Sequence, residues 1–414
     1  MVRRVIILGS TGSIGTQTVE VIDHLNALHE QGRFPHRLEV VGLAARKNAR
    51  ELDRQAGRFP RAAVAVTSGP QHHEVEYGGR RARFVSLDAA EKLVRETPCE
   101  LVVSAIVGSA GLAATLAAVE LGRDVALANK EALVAAGAII VPAAHRSGSK
   151  LLPIDSEHSG LWQCLNSVLP GASGAACDGE PRACAPPVEC PSRVRRVILT
   201  ASGGPFRTWT KEQIDRATPD QALKHPTWSM GAKVTVDSAS LMNKALEIIE
   251  AHWLFGLPGE RIEAVIHPQS IVHAMAEFED GGVIAHLAAA DMRIPIQHAL
   301  AWPERSMGAW PRVDWTRAGR LDFEPPDLER FPALKLAYRV ITPETRGTTA
   351  GAILNAANEE AVAAFLAGKI GFGTIAGLVE EAMESIPAAA ARSLECITKA
   401  EAQSRATVLR RVGT

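Results

Sequence analysis

Cysteine is scarce in this chain, with six among 414 residues, and no pair has the C-x-x-C spacing of a structural zinc site. Three of the six, Cys177, Cys184 and Cys190, fall in a Gly-, Pro- and Ala-rich segment without histidine. Free thiols in a surface loop of a reducing compartment are the simplest reading. An excess of either charge is also missing. Lys and Arg number 45 against 46 Asp and Glu, a formal net charge of −1, and there is no strongly basic run. Nucleic acid is therefore not expected as the main partner, although local patches can still hold phosphates. Nor does any uninterrupted apolar stretch reach the roughly 20 residues that cross a bilayer. The strand-like VRRVIILG begins at Val2 and leaves no room for a signal or transit peptide. These absences lead us to expect a cytoplasmic protein with neither nucleic acid nor membrane as partner.

What is present is 46% hydrophobic and 22% charged residues, enough for a large core over a length that suggests two or three domains. From Val2 the chain alternates VRRVIILG, helix TQTVEVIDHL, LEVVGLAA, a helix from Asn48, RAAVAVT, RARFVS, ELVVSAIVG, the Ala- and Leu-rich AGLAATLAAVELG, and DVALAN. Apolar strands spaced by helices predict an α/β fold, opening with a Rossmann-like, doubly wound parallel sheet over residues 1–151. Residues 152–301 read as a central mixed α/β catalytic domain, and residues 302–326, rich in Pro, Trp and Arg, as a linker. Helical spacing throughout residues 327–414 predicts a C-terminal helical bundle.

GSTGSIG at Gly9 to Gly15 follows the apolar run VIIL and opens a helix. Glycines let the backbone turn tightly and approach a pyrophosphate, while Ser10, Thr11, Ser13 and the helix N-terminus supply donors. The spacing is G-x-x-G-x-x-G rather than the commoner G-x-G-x-x-G, and a merely structural tight turn is the alternative. After the second strand come Arg46, Lys47 and Asn48, where an NAD-binding domain usually carries an acid. Two cations at a helix start oppose its dipole and ask for an anion, which suits the 2′-phosphate of NADP. A solvated helix start is the plain alternative. Asn129, Lys130 and Glu131 lie at the carboxyl edge of the sheet, where such cofactors place the nicotinamide half.

PIDSEH, from Pro153 to His158, sets two carboxylates at the end of the buried strand KLLPI. In an extended backbone Asp155 and Glu157 project from one face and Ser156 and His158 from the other. Two adjacent acids call for a cation, a shared proton or abundant water, and at a buried strand end a hard divalent ion fits best. A third carboxylate is available in VDSASLMNKALEIIEAHWLFG, whose second part reads as a long amphipathic helix. There Glu247 shares a face with Asn243 and Lys244, and Glu250 follows three residues on. An exposed Lys–Glu helical pair is the alternative. Ser238, Ser240 and Asn243 crowd the start of that helix and suit a phosphate, while ASGGPF sets Ser202 beside two glycines as a second anion site. HPTWSMG, with His225, Trp228 and Met230, reads as a lid or as a loop packed on the core. IHPQSIVH carries His267 and His273, either of which fits as a satisfied core histidine.

Taken in order along nearly the whole chain, LGSTGSIG, LANKEALV, LPIDSEHSGLWQCL, TASGGPFR, HPTWSMGAKVTVDSASLMNKALEIIEAHWLFG, IHPQSIVH and NAANEEAVAAFL resemble the 1-deoxy-D-xylulose 5-phosphate reductoisomerase family. The resemblance implies a homodimeric enzyme that isomerises a phosphorylated ketose and reduces it with NADPH. The product is 2-C-methyl-D-erythritol 4-phosphate, on the non-mevalonate route to isoprenoid precursors, formed by retro-aldol and aldol steps and then hydride transfer. Carried over motif by motif, it implies Asp155, Glu157 and Glu247 as ligands of Mg2+ or Mn2+, with Co2+ as a further option. It implies Ser156, Ser202, His225, Trp228, Ser238, Asn243, Lys244 and Glu247 as substrate contacts, with Glu157, Lys244 and His225 as catalytic groups. The implied cofactor contacts are Thr11, Gly12, Ser13, Ile14, Arg46, Lys47, Asn48, Asn129, Lys130, Glu131 and Met292. His225, Trp228 and Met230 would belong to a flexible covering loop, with His158 and His273 near the site.

The chain departs from the family pattern at Arg46, where many members have glycine, which strengthens the NADP preference. It departs again at Ala290, in the wall near the nicotinamide, where proline is usual. The Cys-bearing segment 172–191 matches nothing in the family and is expected to be peripheral. Two other readings compete. An NADP oxidoreductase of the homoserine or aspartate-semialdehyde dehydrogenase type shares the glycine turn and mixed domain but does not need the acids. A non-catalytic NADPH sensor needs only the nucleotide domain.

Overall fold

The first strand, β1 (Val2–Leu8), ends in VIIL, and Val5 to Leu8 keep no exposed surface on either face, which only the middle of a covered sheet allows. The computed structural model describes residues 1–67, 76–166, 184–228 and 230–413. From β1 the chain runs through α1 (Ser13–Glu30), β2 (Arg37–Ala45), α2 (Ala49–Arg58) and β3 (Ala63–Val66). A short antiparallel hairpin, β4 (Glu76–Tyr77) and β5 (Arg80–Arg81), precedes β6 (Phe84–Val85) and α3 (Ala89–Glu96). Then come β7 (Leu101–Ser104), α4 (Leu112–Glu120), β8 (Asp124–Leu127), α5 (Lys130–Ser147) and β9 (Leu151–Pro153). Seven of these strands pair in parallel in the order β6-β3-β2-β1-β7-β8-β9. Because the order reverses between β1 and β7, the loops after these two strands part at the carboxyl edge, where doubly wound sheets bind ligands. The sheet is the predicted Rossmann-like one, and β9 carries it two residues past position 151.

The middle of the chain contains α6 (Ser156–Leu165), β10 (Val194–Ala201), α7 (Lys211–Asp215), α8 (Pro219–Ala222), α9 (Ala232–Ala239) and α10 (Met242–Phe255). Strands β11 (Ile262–Ile266), β12 (Val272–Phe278) and β13 (Val283–Leu287) follow, then α11 (Arg293–Ala301). The second sheet, β11-β10-β12-β13, is mixed: β10 runs parallel to β11 and antiparallel to β12. Helix α6 packs on β12 and β13. Helix α10 is not amphipathic as its sequence suggested. Its residues other than Asn243 and Trp253 are buried, because α5, α9 and β11 all pack against it.

The Cys-bearing segment also differs from expectation. Cys177 lies outside the described residues, but Cys184 and Cys190 are half-buried, and their neighbours are tied into the core. The Leu151 N–H donates to Pro186 O (2.6 Å), the Val188 N–H to Leu254 O (3.0 Å), and the Trp162 indole to Cys184 O (2.8 Å). One of these bonds takes the Leu151 N–H of the edge strand β9 and the other two reach α10 and α6, so this part of the segment is structural rather than peripheral.

The stretch 302–326 contains α12 (Trp315–Ala318) and returns to β11 through a bridge between Glu324 and Ile266. Beyond it α13 (Ala333–Val340), α14 (Ala350–Leu366), α15 (Ile375–Ser385) and α16 (Leu394–Val412) form the helical region. Helix α14 is its axis, packed against α15 and α16 on one side and α5 and α9 on the other. Small residues permit this approach: a Cβ on Gly351 would lie 2.0 Å from Val134 O.

Candidate active site

At the end of β1, Gly9 adopts φ +76°, and a Cβ there would lie 2.4 Å from the carbonyl oxygen of Ala105, in the loop after β7. Glycine is thus required where the two loops meet. Gly12 caps α1 without a side-chain hydrogen bond, and Thr11, Gly12, Ser13 and Ile14 all reach the surface. An eighteen-residue helix with an open N-terminus at the switch point can receive an anion. Arg46, Lys47 and Asn48 are exposed immediately beyond β2, and the Asn48 carboxamide accepts the Glu51 N–H as the cap of α2. Met292 caps α11, whose Arg293 reaches Glu20 on α1. Asn129 caps α5 and donates from Nδ2 to Gly108 O (3.1 Å). Glu131 accepts from Lys233 Nζ (2.8 Å).

Lys130 turns elsewhere. Its Nζ donates to Asn243 Oδ1 (2.9 Å) and Glu247 Oε1 (3.0 Å) and pairs with Asp155, so it joins the acidic cluster. A four-carbon stem lets the ammonium reach away from the first turn of α5, which anchors it.

The extended reading of PIDSEH is also corrected. The strand stops at Pro153, and Asp155 (φ −57°, ψ 133°) is the N-cap of α6, accepting the Ser156 N–H on Oδ1 at 3.0 Å. The strict alternation of faces ends there, which lets Ser156, whose Oγ donates to Glu157 Oε2 (2.5 Å), line the same cavity as Trp228 and His273. Asp155, Glu157 and Glu247 each bring a carboxylate oxygen to within 4.8 Å of the others. Lys244 Nζ donates to Glu157 Oε1 (2.8 Å) and to Glu247. Two ammoniums face three carboxylates, an excess of one negative charge when all three are ionised. Burial pushes Glu247 up to about 7, with Glu157 adding to the effect. Burial works against the Glu157 anion too, but the Lys244 ammonium prevails and holds Glu157 at about 2. Asp155 Oδ2 is buried and is the oxygen that pairs with the Lys130 ammonium. An all-oxygen donor set of three carboxylates gathered this closely fits a hard divalent cation, for which the paired ammoniums of Lys130 and Lys244 stand in here.

A second set, Asp155, His158 and Glu250, meets the same distance criterion. His158 and Glu250 have no exposed surface, whereas Asp155 and Glu157 keep 14% and 16% of their side chains accessible. Apart from Asp155, which the two sets share, Glu157 is the one of these groups that reaches accessible surface, so the set with Glu157 and Glu247 is the one open to a substrate. His158 supports the cluster from behind: Nε2 lies 2.8 Å from the carbonyl of Glu247 and so donates to it. Burial lowers His158 to about 4, keeping it neutral.

Across the cavity Ser202, after β10, and Ser238, on α9, both lie 3.1 Å from His225 Nε2. His225 Nδ1 accepts the N–H groups of Thr227 (3.1 Å) and Trp228 (2.8 Å), so the ring proton is on Nε2 and points at the two serines. Burial lowers the pKa of His225, favouring this neutral form. Gly204 (φ +66°) lets β10 approach α9, since a Cβ would meet Ser238 O at 2.7 Å. Ser202 also lines an open cavity with Arg207 and Lys224, a surrounding that favours an anion. Leu241 (φ +57°) ends α9 and redirects the chain into α10, on whose first turn Asn243 and Lys244 meet the acidic cluster. Trp228 lies 6.2 Å, ring to ring, from His273, over a cavity lined by Ser156, His286, Asp291 and Pro295. Met230 is half-buried at the start of α9. His267 is a satisfied core histidine: it stacks on Phe323, donates to Asp322 O and accepts the Ile271 N–H.

Sequence reasoning passed over Lys233 and Asp237, a buried ion pair on α9, and Asp291 and His286 in the cavity wall. The i,i+4 spacing of Lys233 and Asp237 was the available signal.

Three family descriptions match consecutive parts of the chain: 1-deoxy-D-xylulose 5-phosphate reductoisomerase at residues 5–137, its C-terminal domain at 151–255, and the DXP reductoisomerase C-terminal domain at 287–407. The chain is 44% identical over 408 residues to the 1-deoxy-D-xylulose 5-phosphate reductoisomerase of Gloeobacter violaceus, covering 97% of this chain and 96% of the relative. It is likewise 44% identical over 418 residues to that of Heliobacterium modesticaldum, with coverage of 100% and 98%. Among solved structures, the reductoisomerase from Zymomonas mobilis in complex with NADPH superposes with a TM-score of 0.84 at 37% identity, covering both chains fully. A DOX-P reductoisomerase in complex with NADPH, fosmidomycin and magnesium gives 0.85 at 33% identity, with coverage of 99% and 98%.

Proposed function

The chain belongs to the 1-deoxy-D-xylulose 5-phosphate reductoisomerase family, and from that premise we propose how its residues carry out the reaction. The enzyme isomerises and reduces 1-deoxy-D-xylulose 5-phosphate to 2-C-methyl-D-erythritol 4-phosphate, using NADPH and Mg2+. Asp155, Glu157 and Glu247 hold the divalent ion, with Mn2+ or Co2+ as alternatives, and their mutual distances within 4.8 Å beside an accessible cavity carry this reading. When bound, the ion supplies Lewis-acid polarisation of the substrate's carbonyl and stabilises the charge that develops on oxygen.

The protein's own groups do the rest. The N-terminus of α1, with Thr11, Gly12, Ser13 and Ile14, takes the pyrophosphate, and Arg46, Lys47 and Asn48 take the 2′-phosphate. Asn129, Glu131 and Met292 border the nicotinamide half. Ser202, His225, Ser238 and Asn243 receive the substrate phosphate, with the His225 Nε2 proton as a donor. Lys244 stays protonated because Glu157 and Glu247 outweigh its burial, and it neutralises charge and orients the substrate hydroxyls beside Ser156. Trp228 and His273 wall the cavity and exclude water as the 225–231 loop closes. We further propose a cytoplasmic homodimer, with the domains divided near 151, 301 and 326 and with neither nucleic acid nor membrane as partner. No described helix is long and apolar enough to cross a membrane. The deciding assay is NADPH oxidation with 1-deoxy-D-xylulose 5-phosphate, with and without a chelator. Oxidation that stops on chelation and returns with Mg2+ is expected, and full turnover in excess chelator would remove the metal assignment.

A further inference from the structure

We infer that the polar face of α14, the NAANEE segment, positions the cofactor-contacting edge of the nucleotide domain. The inference rests on the NADPH reading above and goes beyond it, because no residue of α14 touches the proposed cofactor site directly. Asn355, Asn358 and Glu359 share one face of the helix at i, i+3 and i+4. Asn355 and Asn358 are completely buried, which costs free energy unless their polar atoms are used. Their carboxamide nitrogens are used, in two arms that leave the helical region, while Oδ1 of each finds no hydrogen bond among the described residues.

In the first arm Glu359 Oε1 accepts the backbone N–H of Ser109 (3.1 Å) and the Asn355 carboxamide (3.0 Å), while Arg405 of α16 pairs with Oε2. Ser109 Oγ donates to Glu401 of the same helix. The turn after β7 is therefore clamped from outside its own domain. Gly108 (φ +75°) lies so close that a Cβ would be 2.5 Å from Glu359 Oε1. Its carbonyl accepts the Asn129 carboxamide, and a Cβ on Gly111 would lie 2.5 Å from that same nitrogen. In the second arm Asn358 Nδ2 donates to Asp237 Oδ1 (2.8 Å), Asp237 pairs with Lys233 (2.9 Å), and Lys233 reaches Glu131 Oε1 (2.8 Å). Both arms end on nicotinamide-side groups, Asn129 and Glu131. Helix α14 is a brace for cofactor geometry.

The test is NADPH titration by fluorescence on metal-free, substrate-free protein, followed by steady-state kinetics and thermal unfolding. Glu359→Ala and Asn358→Ala should each raise the NADPH Kd about tenfold, the scale of one lost charge-assisted or buried hydrogen bond. Glu359→Gln keeps the acceptor for Ser109 and should lose about threefold or less, carrying the test should the alanine variant fail to fold. In turnover, KM for NADPH should rise more than kcat falls. Phe365→Leu, which loosens the apolar packing of the same helix against Phe372, should lower Tm and leave the NADPH Kd unchanged. Wild-type affinity in Glu359→Ala and Asn358→Ala, or a loss in Phe365→Leu that follows its Tm, would overturn the inference. Failure of the wild type to bind NADPH would instead overturn the functional reading beneath it.

Discussion

At the scale of single residues, the site is held by buried polar groups whose partners decide their charge. Glu157 and Glu247 are both enclosed carboxylates, yet Lys244 holds one low while burial raises the other. Away from the acids, His298 shows the cost of burial without a partner. Its ring lies 4.6 Å from that of Trp162, its Nε2 has no hydrogen bond among the described residues, and burial, reinforced by Arg305, lowers it to about 4. A histidine depressed in the folded state binds its proton more readily when unfolded, so its stabilising term is fully present above about pH 6.5 and is lost as pH falls toward 4. Between pH 7.5 and pH 5 the wild type should lose ~2 kcal/mol more than His298→Leu, judged from urea unfolding of both at each pH. Equal losses in the two proteins would show that His298 is not buried neutral.

At the scale of elements, glycine and cap residues decide where strands end and helices begin. The start of α1 was legible because strand, glycine turn and helix are contiguous in VIILGSTGSIG. The start of α6 was not, because alternation assumes that the strand continues, whereas Asp155 followed by SEHS is an N-cap that ends it. The full burial of α10 was equally hidden: the helix reads as amphipathic, and the elements that cover its remaining face come from distant sequence. Gly9 tests the first of these elements. Alanine there combines a positive φ with a Cβ 2.4 Å from Ala105 O, so the β1 and β7 loops must separate. Gly9→Ala should lower stability by ~1–3 kcal/mol and weaken NADPH at least about tenfold. Gly32→Ala is the control, since its φ of +70° carries the backbone strain while its Cβ would meet nothing within 4 Å. It should lose stability alone, as thermal unfolding paired with NADPH titration would reveal.

At the scale of the whole molecule, the α/β order, the parallel sheet and the helical region could be read from periodicity, because each depends on neighbours in sequence. The links between them could not. Lys130 crosses from α5 to Glu247, and Asn358 reaches back to Asp237, over separations of 117 and 121 residues, which no local pattern encodes. Oligomeric state is a further property of this kind, and the second sheet supplies its physical handle. Strand β13 is the outer strand of the order β11-β10-β12-β13, so one side of its backbone lacks a strand partner within the sheet. Its Val283 and Ile284 are 52% and 41% exposed, and an apolar strand edge left open is a place where a second copy can add. If the homodimer forms through this edge, light scattering after gel filtration should give twice the 44.1 kDa of the chain. The double variant Val283→Lys, Ile284→Lys places like charges opposite one another across a twofold contact and should elute at the mass of one chain, with its far-UV spectrum unchanged. A wild type at 44.1 kDa would remove the homodimer. A variant that remains dimeric would remove β13 as the interface while leaving the dimer itself in place.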